Sequence, residues 1–83
     1  MQIRWNLLKS ERLKRTRGVS FEEILQAKLV AVFRHPARFQ QSLMLFEYKR
    51  YIWVVPFVED KAGRFLKTLF PSRKYTKIYL KEK

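Results

Sequence analysis

The chain has 83 residues, of which 47% are hydrophobic, and its formal net charge is +12. This length fits one small domain over residues 1–83 with a single core. The absence of cysteine excludes disulfides and thiol nucleophiles, and one histidine with seven acids argues against a metal site or other cofactor. No apolar run reaches the roughly 18 residues of a membrane-spanning helix, and the N-terminus lacks the apolar segment of a signal peptide. An intracellular protein is the default expectation.

The positive charge is concentrated at the two ends of the chain. Residues 1–17 hold six Lys or Arg against one acid, residues 61–83 hold eight against one, and residues 18–60 hold five of each sign. Such an excess repels itself in a compact state unless a polyanion or an acidic partner is present. The pattern predicts a nucleic-acid or acidic protein partner, with an anionic membrane surface or simple solubility as alternatives.

The first predicted elements are a short edge strand at Ile3–Trp5 and a helix over about residues 7–17. Asn6 suits the N-cap of this helix, and Gly18 suits its end. Its predicted core contacts are Trp5, Leu8 and Leu13. Five cations cover much of the remaining surface, with Glu11 as the one acid available for pairing. We predict that this surface faces a polyanion, the alternative being a solvated helix face, and the cations are Lys9, Arg12, Lys14, Arg15 and Arg17.

A second helix has the strongest local signal in the chain. Ser20 and Glu23 form a capping box, in which Ser20 is the N-cap. Apolar residues then follow at helical spacing: Ile24, Leu25, Leu29, Val32 and Phe33. The helix is predicted to run to about Arg34, because the residue before Pro36 avoids helical geometry.

His35 opens the predicted loop over residues 35–41 and is the only histidine of the chain. Histidine is the commonest general acid or base near neutral pH, which makes His35 a candidate catalytic residue. A loop histidine beside a helix end is also often a solvated bystander, and that alternative stays open.

The next segments, Ser42–Tyr48 and Tyr51–Val58, predict a β-hairpin about Lys49-Arg50. This pair departs from the Asn-Gly or Asp-Gly sequence that tight turns prefer. Both faces of the second strand are apolar, which indicates a central strand. Its aromatic residues are therefore interpreted as core packing rather than as a platform for stacking bases.

The stretch Phe65–Tyr75 is the main candidate for chemistry. A polar turn with Gly63 in a positive-φ conformation leads into an antiparallel strand, which Pro71 should end because it cannot donate to a ladder. Ser72 offers the N-cap of a short C-terminal helix. That helix carries cations and phenols: Arg73, Lys74, Tyr75, Lys77 and Tyr79.

The element order β-α-α-β-β-β with a short C-terminal helix predicts an α+β fold, in which the two N-terminal helices cover one face of a small antiparallel sheet. Three blocks of sequence resemble BrnT-like toxins, within the RelE/ParE-type toxins of type II toxin–antitoxin systems. The blocks span most of the chain and are Trp5-Asn6 with Lys9, Gly18-Val19-Ser20-Phe21-Glu22-Glu23, and Leu69-Phe70-Pro71-Ser72-Arg73-Lys74 with Thr76. The histidine-containing acidic segment of the family corresponds here to Ala37–Gln41.

The resemblance implies a RelE-like fold and a cytoplasmic toxin that cleaves RNA without a metal. It also implies an acidic antitoxin of the ribbon-helix-helix type, which neutralises the toxin in a hetero-oligomer. RNA supplies its own nucleophile, the 2′-OH, so the protein needs only to position the strand, stabilise charge and move protons.

The residues of this chain can support that chemistry, and we expect the following roles. Arg73 clamps the scissile phosphate, and Lys67 or Lys74 adds positive charge or acts as the base. Tyr75 or Tyr79 protonates the leaving 5′-oxygen or stacks on a base, while the cations of the first helix hold the flanking RNA. For the side chains, the alternative is that Arg73 only caps the sheet edge and the tyrosines pack the last helix. For the whole protein, the alternative is a non-catalytic nucleic-acid-binding module or an inactivated toxin homologue.

Overall fold

The computed structural model describes residues 2–80, which form an α+β fold of three helices and a mixed sheet. The helices are α1 (Leu7–Arg17), α2 (Phe21–Ile24) and α3 (Arg73–Tyr79). The strands are β1 (Gln2–Arg4), β2 (Lys28–Arg34), β3 (Ser42–Tyr48), β4 (Tyr51–Asp60), β5 (Gly63–Leu66) and β6 (Phe70–Pro71). Their order is β1-β5-β4-β3-β2, with β6 also paired to β4. Among residues 2–80, no helix is long and apolar enough to cross a membrane.

The local capping predictions are confirmed. The Asn6 side chain accepts the N–H three residues further on at 2.9 Å, and Gly18 ends α1 with a φ of 80°. Ser20 and Glu23 make both hydrogen bonds of a capping box at the start of α2. Ser72 caps α3 by accepting the backbone N–H of Tyr75. Each of these contacts satisfies backbone groups that a helix leaves unpaired at its ends.

The predicted continuation of the second helix to Arg34 is wrong. Helix α2 ends at Ile24, and residues 28–34 form β2, which pairs antiparallel with β3. A β-bulge between Leu29 and Ala31 shifts the register, so Leu29 pairs with Phe46 and Val32 with Met44 on the same face of the sheet. The bulge therefore places apolar residues three apart on one face, which imitates helical spacing.

The predicted hairpin is confirmed, and its turn consists of Lys49 and Arg50 alone. Both residues have positive φ, 52° and 65°, the backbone signature of a type I′ turn. Strand β4 continues beyond the predicted end, to Asp60, and is central as expected. Val54 and Val55 point to opposite faces and are 1% and 0% exposed, so the sheet is covered on both sides.

The antiparallel prediction fails at one edge, where β1 pairs in parallel with β5. Gly63 permits this pairing: its φ is 131°, and a Cβ there would lie 2.0 Å from the carbonyl oxygen of Gln2. Arg4 closes the same corner by donating to both carboxylate oxygens of Asp60 at 2.9 and 3.1 Å. This contact with Arg4 is the main reason that the pKa of Asp60 is lowered.

The predicted single strand Phe65–Phe70 is broken into two. Leu66 of β5 pairs with Phe57, whereas Phe70 of β6 pairs with Val54, so one extra residue lies in the β5–β6 chain between these pairs. The strand ends at Pro71 as predicted, although Pro71 itself is the last residue of β6 and pairs with Trp53. Proline is tolerated there because β6 is paired on one side only and the missing N–H leaves no ladder bond unmade.

Two apolar cores lie on the two faces of the sheet. The first contains Leu13, Val19, Phe21, Ile24, Met44, Phe46, Val55, Phe57, Leu66 and Leu69. The second contains Leu43, Leu45, Ile52 and Val54, with Phe33, Tyr75 and Leu80 packed against it, and we call this the α3 side. The predicted core contacts of Leu13 and Trp5 are confirmed. That of Leu8 is wrong, since it is 73% exposed.

Candidate functional site

A cavity of about 510 Å³ opens on the α3 side of the sheet. Its apolar floor is formed by three buried residues from β3 and β4, Leu43, Val54 and Pro56. Polar, cationic and aromatic side chains surround the floor: Lys9, His35, Arg38, Gln41, Lys67, Thr68, Phe70 and Tyr75. An apolar base with convergent polar groups at the rim is the usual form of a ligand site.

Lys67 reaches the cavity from the point where the strand ladder changes register. Its backbone N–H donates to the Pro56 carbonyl at 2.8 Å, which holds it beside the cavity floor. Its ammonium lies 5.9 Å from the centroid of the Phe65 ring, and the residue is exposed. The break between β5 and β6 therefore places a solvent-accessible cation next to an apolar surface.

Tyr75 reaches the same cavity from the first turns of α3. Its ring centroid lies 5.7 Å from that of Phe33 and 6.3 Å from that of Tyr79, and the residue is half-buried. The start of α3 is bonded to β4, because the Ser72 N–H donates to the Ile52 carbonyl at 2.9 Å. The phenol is consequently held by packing and by a fixed helix start.

His35 and Arg38 come from the loop after β2. The N–H of His35 donates to the Gln41 carbonyl at 2.9 Å, which closes the loop. The Nδ1 atom of His35 accepts the backbone N–H groups of Ala37 and Arg38, each at 3.0 Å. These bonds fix the imidazole, which is half-buried, and orient the backbone that carries Arg38.

The cavity brings together only part of the predicted catalytic set. Lys67, Tyr75 and His35 line it, as does Lys9 from the predicted RNA-binding set. Three other predicted catalytic residues lie on α3, are exposed and do not line this cavity: Arg73, Lys74 and Tyr79. The Lys74 ammonium lies 5.4 Å from the Tyr75 ring centroid, close to the cavity wall.

Arg38 and Gln41 are cavity residues that the sequence interpretation missed. The signal that identifies them is the assignment of residues 28–34 as a strand, since the following loop then lies at a sheet edge next to β3 and β4. The helix predicted for that segment placed the loop at a helix end instead. Arg38 and Gln41 were therefore missed because residues 28–34 were predicted to be helical.

The predicted RNA-binding cations of α1 differ in their contacts: Lys14 and Arg17 bond to other parts of the fold, whereas Arg12 and Arg15 form no ion pair among residues 2–80. Lys14 pairs with Glu23 at 2.8 Å, and this hydrogen bond raises the pKa of Lys14 and lowers that of Glu23. Arg17 donates a hydrogen bond to the Leu69 carbonyl. Within residues 2–80, Arg12 and Arg15 form no ion pair and are exposed.

Ser10 and three residues near the start of the chain and of α2 make contacts that stabilise the fold. The Trp5 indole donates to Glu22 at 3.0 Å, and the buried Ser10 hydroxyl donates to the same carboxylate at 2.6 Å. The Ser10 hydroxyl also accepts the N–H of Phe21 at 3.0 Å. The hydrogen bond from Ser10 is the main cause of a lowered pKa at Glu22. These residues join the start of α2 to α1 and the chain before it.

Comparison of the chain with protein-family models, curated proteins and solved structures finds no match. Within residues 2–80, no cluster of three or more His, Asp or Glu side chains is placed to hold a metal ion. The cavity and the positive charge of the chain are the features that bear on function.

Proposed function

We propose that this chain is the toxin of a type II toxin–antitoxin system: a metal-independent, cytoplasmic endoribonuclease that inhibits translation until an acidic antitoxin binds it. The observation that carries the proposal is the cavity, where Lys67, Arg38, His35 and Tyr75 meet over an apolar floor. A RelE-like arrangement is part of the proposal. It is supported by the presence of α1 and α2 residues in the core opposite the α3 side.

The cavity supplies groups that support RNA cleavage by the 2′-OH. The attack forms a bond from O2′ to phosphorus, breaks the bond from phosphorus to the 5′-oxygen, and releases the proton of the 2′-OH to solvent water. Lys67 and Arg38 stabilise the charge on the phosphoryl oxygens in the transition state. Tyr75 donates a proton to the leaving 5′-oxygen. The apolar floor accommodates a base or sugar, which places the phosphate at the cationic rim.

Arg73 is given a different role from the predicted clamp on the scissile phosphate, because it does not line the cavity. It is the first residue of α3 and is exposed outside the cavity lining. From there it contacts an RNA strand that enters or leaves the cavity, as do the cations Lys74 and Lys77 of the same helix.

An acidic antitoxin fits the same surface. The net charge of +12 favours association with acidic segments, and a segment that covers the rim blocks the RNA path. Ile78 and Tyr79 of α3, 54% and 40% exposed, offer apolar contact area beside the cations. A hetero-oligomer of toxin and ribbon-helix-helix antitoxin is the assembly that we propose.

The test compares Lys67→Ala, Tyr75→Phe and Arg73→Ala with wild type for growth arrest on induction and for RNA cleavage by purified protein. Loss of an acid–base group costs roughly 100-fold or more in rate, so Tyr75→Phe should lose about that much cleavage while its unfolding midpoint stays near wild type. Lys61→Ala, an exposed lysine in the β4–β5 turn, is the matched control for Lys67 and should cleave normally.

The second candidate is a non-catalytic nucleic-acid-binding module, favoured by the exposure of Arg12 and Arg15 on α1. It predicts that wild-type protein neither arrests growth nor cuts RNA, while it binds nucleic acid with a steep salt dependence. That result would replace the toxin proposal.

A further inference from the structure

We infer that His35 is a hydrogen-bond donor to a phosphate oxygen of the bound strand and not the proton acceptor of the site. The inference rests on the proposed function in one respect, because it takes a single nucleic-acid strand as the ligand of the cavity. It assigns His35 two separate tasks, one for each ring nitrogen.

The Nδ1 atom positions the loop. It accepts two backbone N–H groups, from Ala37 and Arg38, each at 3.0 Å. The Arg38 carbonyl is held as well, since it accepts the N–H of Gln41 at 3.4 Å. Both backbone polar groups of Arg38 are thus engaged within the loop, and the arginine side chain starts from a fixed point at the cavity rim.

The same contacts determine the state of the other nitrogen. A neutral imidazole has one N–H and one lone-pair nitrogen, and two N–H groups pointing at Nδ1 require the lone pair there. The ring proton is therefore on Nε2, which is the nitrogen left for contacts outside the loop. A nitrogen that already carries a proton donates a hydrogen bond and cannot accept the proton of the 2′-OH.

The surroundings of the ring favour a phosphate as the acceptor. His35 lines the cavity together with Lys67, Arg38 and Lys9, three cations on the rim of one apolar floor. A phosphodiester has non-bridging oxygens that accept several hydrogen bonds, and donors of this kind fix the register of a nucleic-acid strand. The Nε2–H group is a neutral donor with a fixed direction, whereas the three cations are carried on long, flexible side chains.

The first experiment determines the tautomer. Because the chain has a single histidine, a two-bond ¹H–¹⁵N correlation spectrum of uniformly labelled protein contains one imidazole and needs no assignment. At a pH where the ring is neutral, we expect a protonated, pyrrole-type Nε2 and a lone-pair, pyridine-type Nδ1. A ring protonated on Nδ1 would overturn the inference.

The second experiment separates the two tasks. In His35→Asn the side-chain oxygen can accept the loop N–H groups as Nδ1 does, but the Nε2–H donor is lost, since the amide NH2 of the shorter side chain does not reach the Nε2 position. His35→Ala loses both functions. The probe is a short single-stranded deoxyribonucleotide with a fluorescent label, which lacks the 2′-OH and cannot be cleaved. We expect His35→Asn to unfold at the wild-type midpoint and to bind about tenfold more weakly, since a hydrogen bond to a charged group is lost.

The outcomes distinguish this inference from the proposed function. Equal binding by wild type and His35→Asn reduces His35 to a loop-positioning residue and overturns the donor role, whether or not the protein cleaves RNA. Absence of probe binding by wild type also overturns it. If wild type binds the probe through His35 and yet cuts no RNA, the donor role stands and the toxin proposal fails.

Discussion

The hydroxyl of Thr76 accepts the backbone N–H of Ile52 at 2.9 Å, and so takes the place of a strand neighbour. Strand β6 pairs with β4 at Trp53 and Val54 and ends there. At Ile52 the start of α3 replaces it, with Thr76 accepting the N–H and Ser72 donating to the carbonyl. The helix that carries Tyr75 is thereby bonded directly to the central strand.

Replacing Thr76 with valine should destabilise the protein by about 1–3 kcal/mol, because the N–H of the fully buried Ile52 loses its partner. Valine keeps the shape of the side chain, so the loss reports the hydroxyl. Urea unfolding measures the change, and Thr76→Ser, which keeps the hydroxyl, is the control. An equal free energy of unfolding for Thr76→Val and wild type would contradict this role.

Glu22 should contribute to the loss of stability in acid. Its pKa in the folded protein is lowered from the ordinary value of 4.5, mainly by the hydrogen bond from Ser10. A carboxylate of this kind stabilises the fold at pH values above its unfolded pKa, and the contribution is lost as the pH falls through the folded pKa. The unfolding midpoint of Glu22→Gln should therefore change less than that of wild type between about pH 7 and about pH 3.

Glu11→Gln is the control for that experiment, since Glu11 is an exposed acid on α1. Part of the acid dependence should remain in Glu22→Gln, because the pKa values of Glu23 and Asp60 are also lowered, by Lys14 and Arg4 respectively. A Glu22→Gln profile parallel to wild type across this range would show that the Ser10 contact has no effect on stability.

Gly63→Ala should be much more damaging than Gly18→Ala. Both glycines have positive φ, for which a Cβ costs roughly 1–2 kcal/mol. At Gly18 nothing lies within 4 Å of the added atom, whereas at Gly63 it would collide with the backbone of Gln2 at 2.0 Å. Only Gly63→Ala must also separate β1 from β5. Equal losses in thermal unfolding would argue against the parallel pairing of these strands.

Arg12 and Arg15 should contribute to nucleic-acid binding through charge alone. Each phosphate contact to a single strand adds roughly 0.7 to the slope of log affinity against log salt, so Arg12→Gln with Arg15→Gln should lower it by about 1.4. The charge-matched control is Lys14→Gln with Lys61→Gln; it should lower the slope less, because the Lys14 ammonium is paired with Glu23. Fluorescence anisotropy titrations at several salt concentrations give the slopes, and equal slopes for the two double variants would rule out a specific α1 contact.

Local signals in the sequence were enough for the caps and the hairpin. Asn6, Ser20 and Ser72 cap their helices because a short polar side chain reaches the nearest backbone N–H groups without help from distant residues. Lys49 and Arg50 were recognised as a turn from the apolar segments on each side. Their own side chains gave no type I′ signal, since the pairing of β3 with β4 imposes the positive φ values.

Only part of the candidate site could be predicted from local signals in the sequence. Lys67 and Tyr75 were found because they lie in one basic segment near the end of the chain. Arg38 was missed, because its place on the cavity rim depends on β2 being a strand. Arg73 is in the predicted helix, yet it does not line the cavity, whereas Lys67, at the break between β5 and β6, does.

The sequence by itself determined the helix boundaries set by caps, the central hairpin, the α+β class and the basic character of both ends. These depend on contacts within a few residues or on composition. Tertiary structure alone decided that residues 28–34 are a bulged strand, that β1 joins β5 in parallel, and that His35 and Arg38 meet Lys67 and Tyr75. The parallel edge and the cavity depend on segments far apart in the chain, and β2 depends on its pairing with β3. In each case burial against the rest of the sheet outweighs local preference.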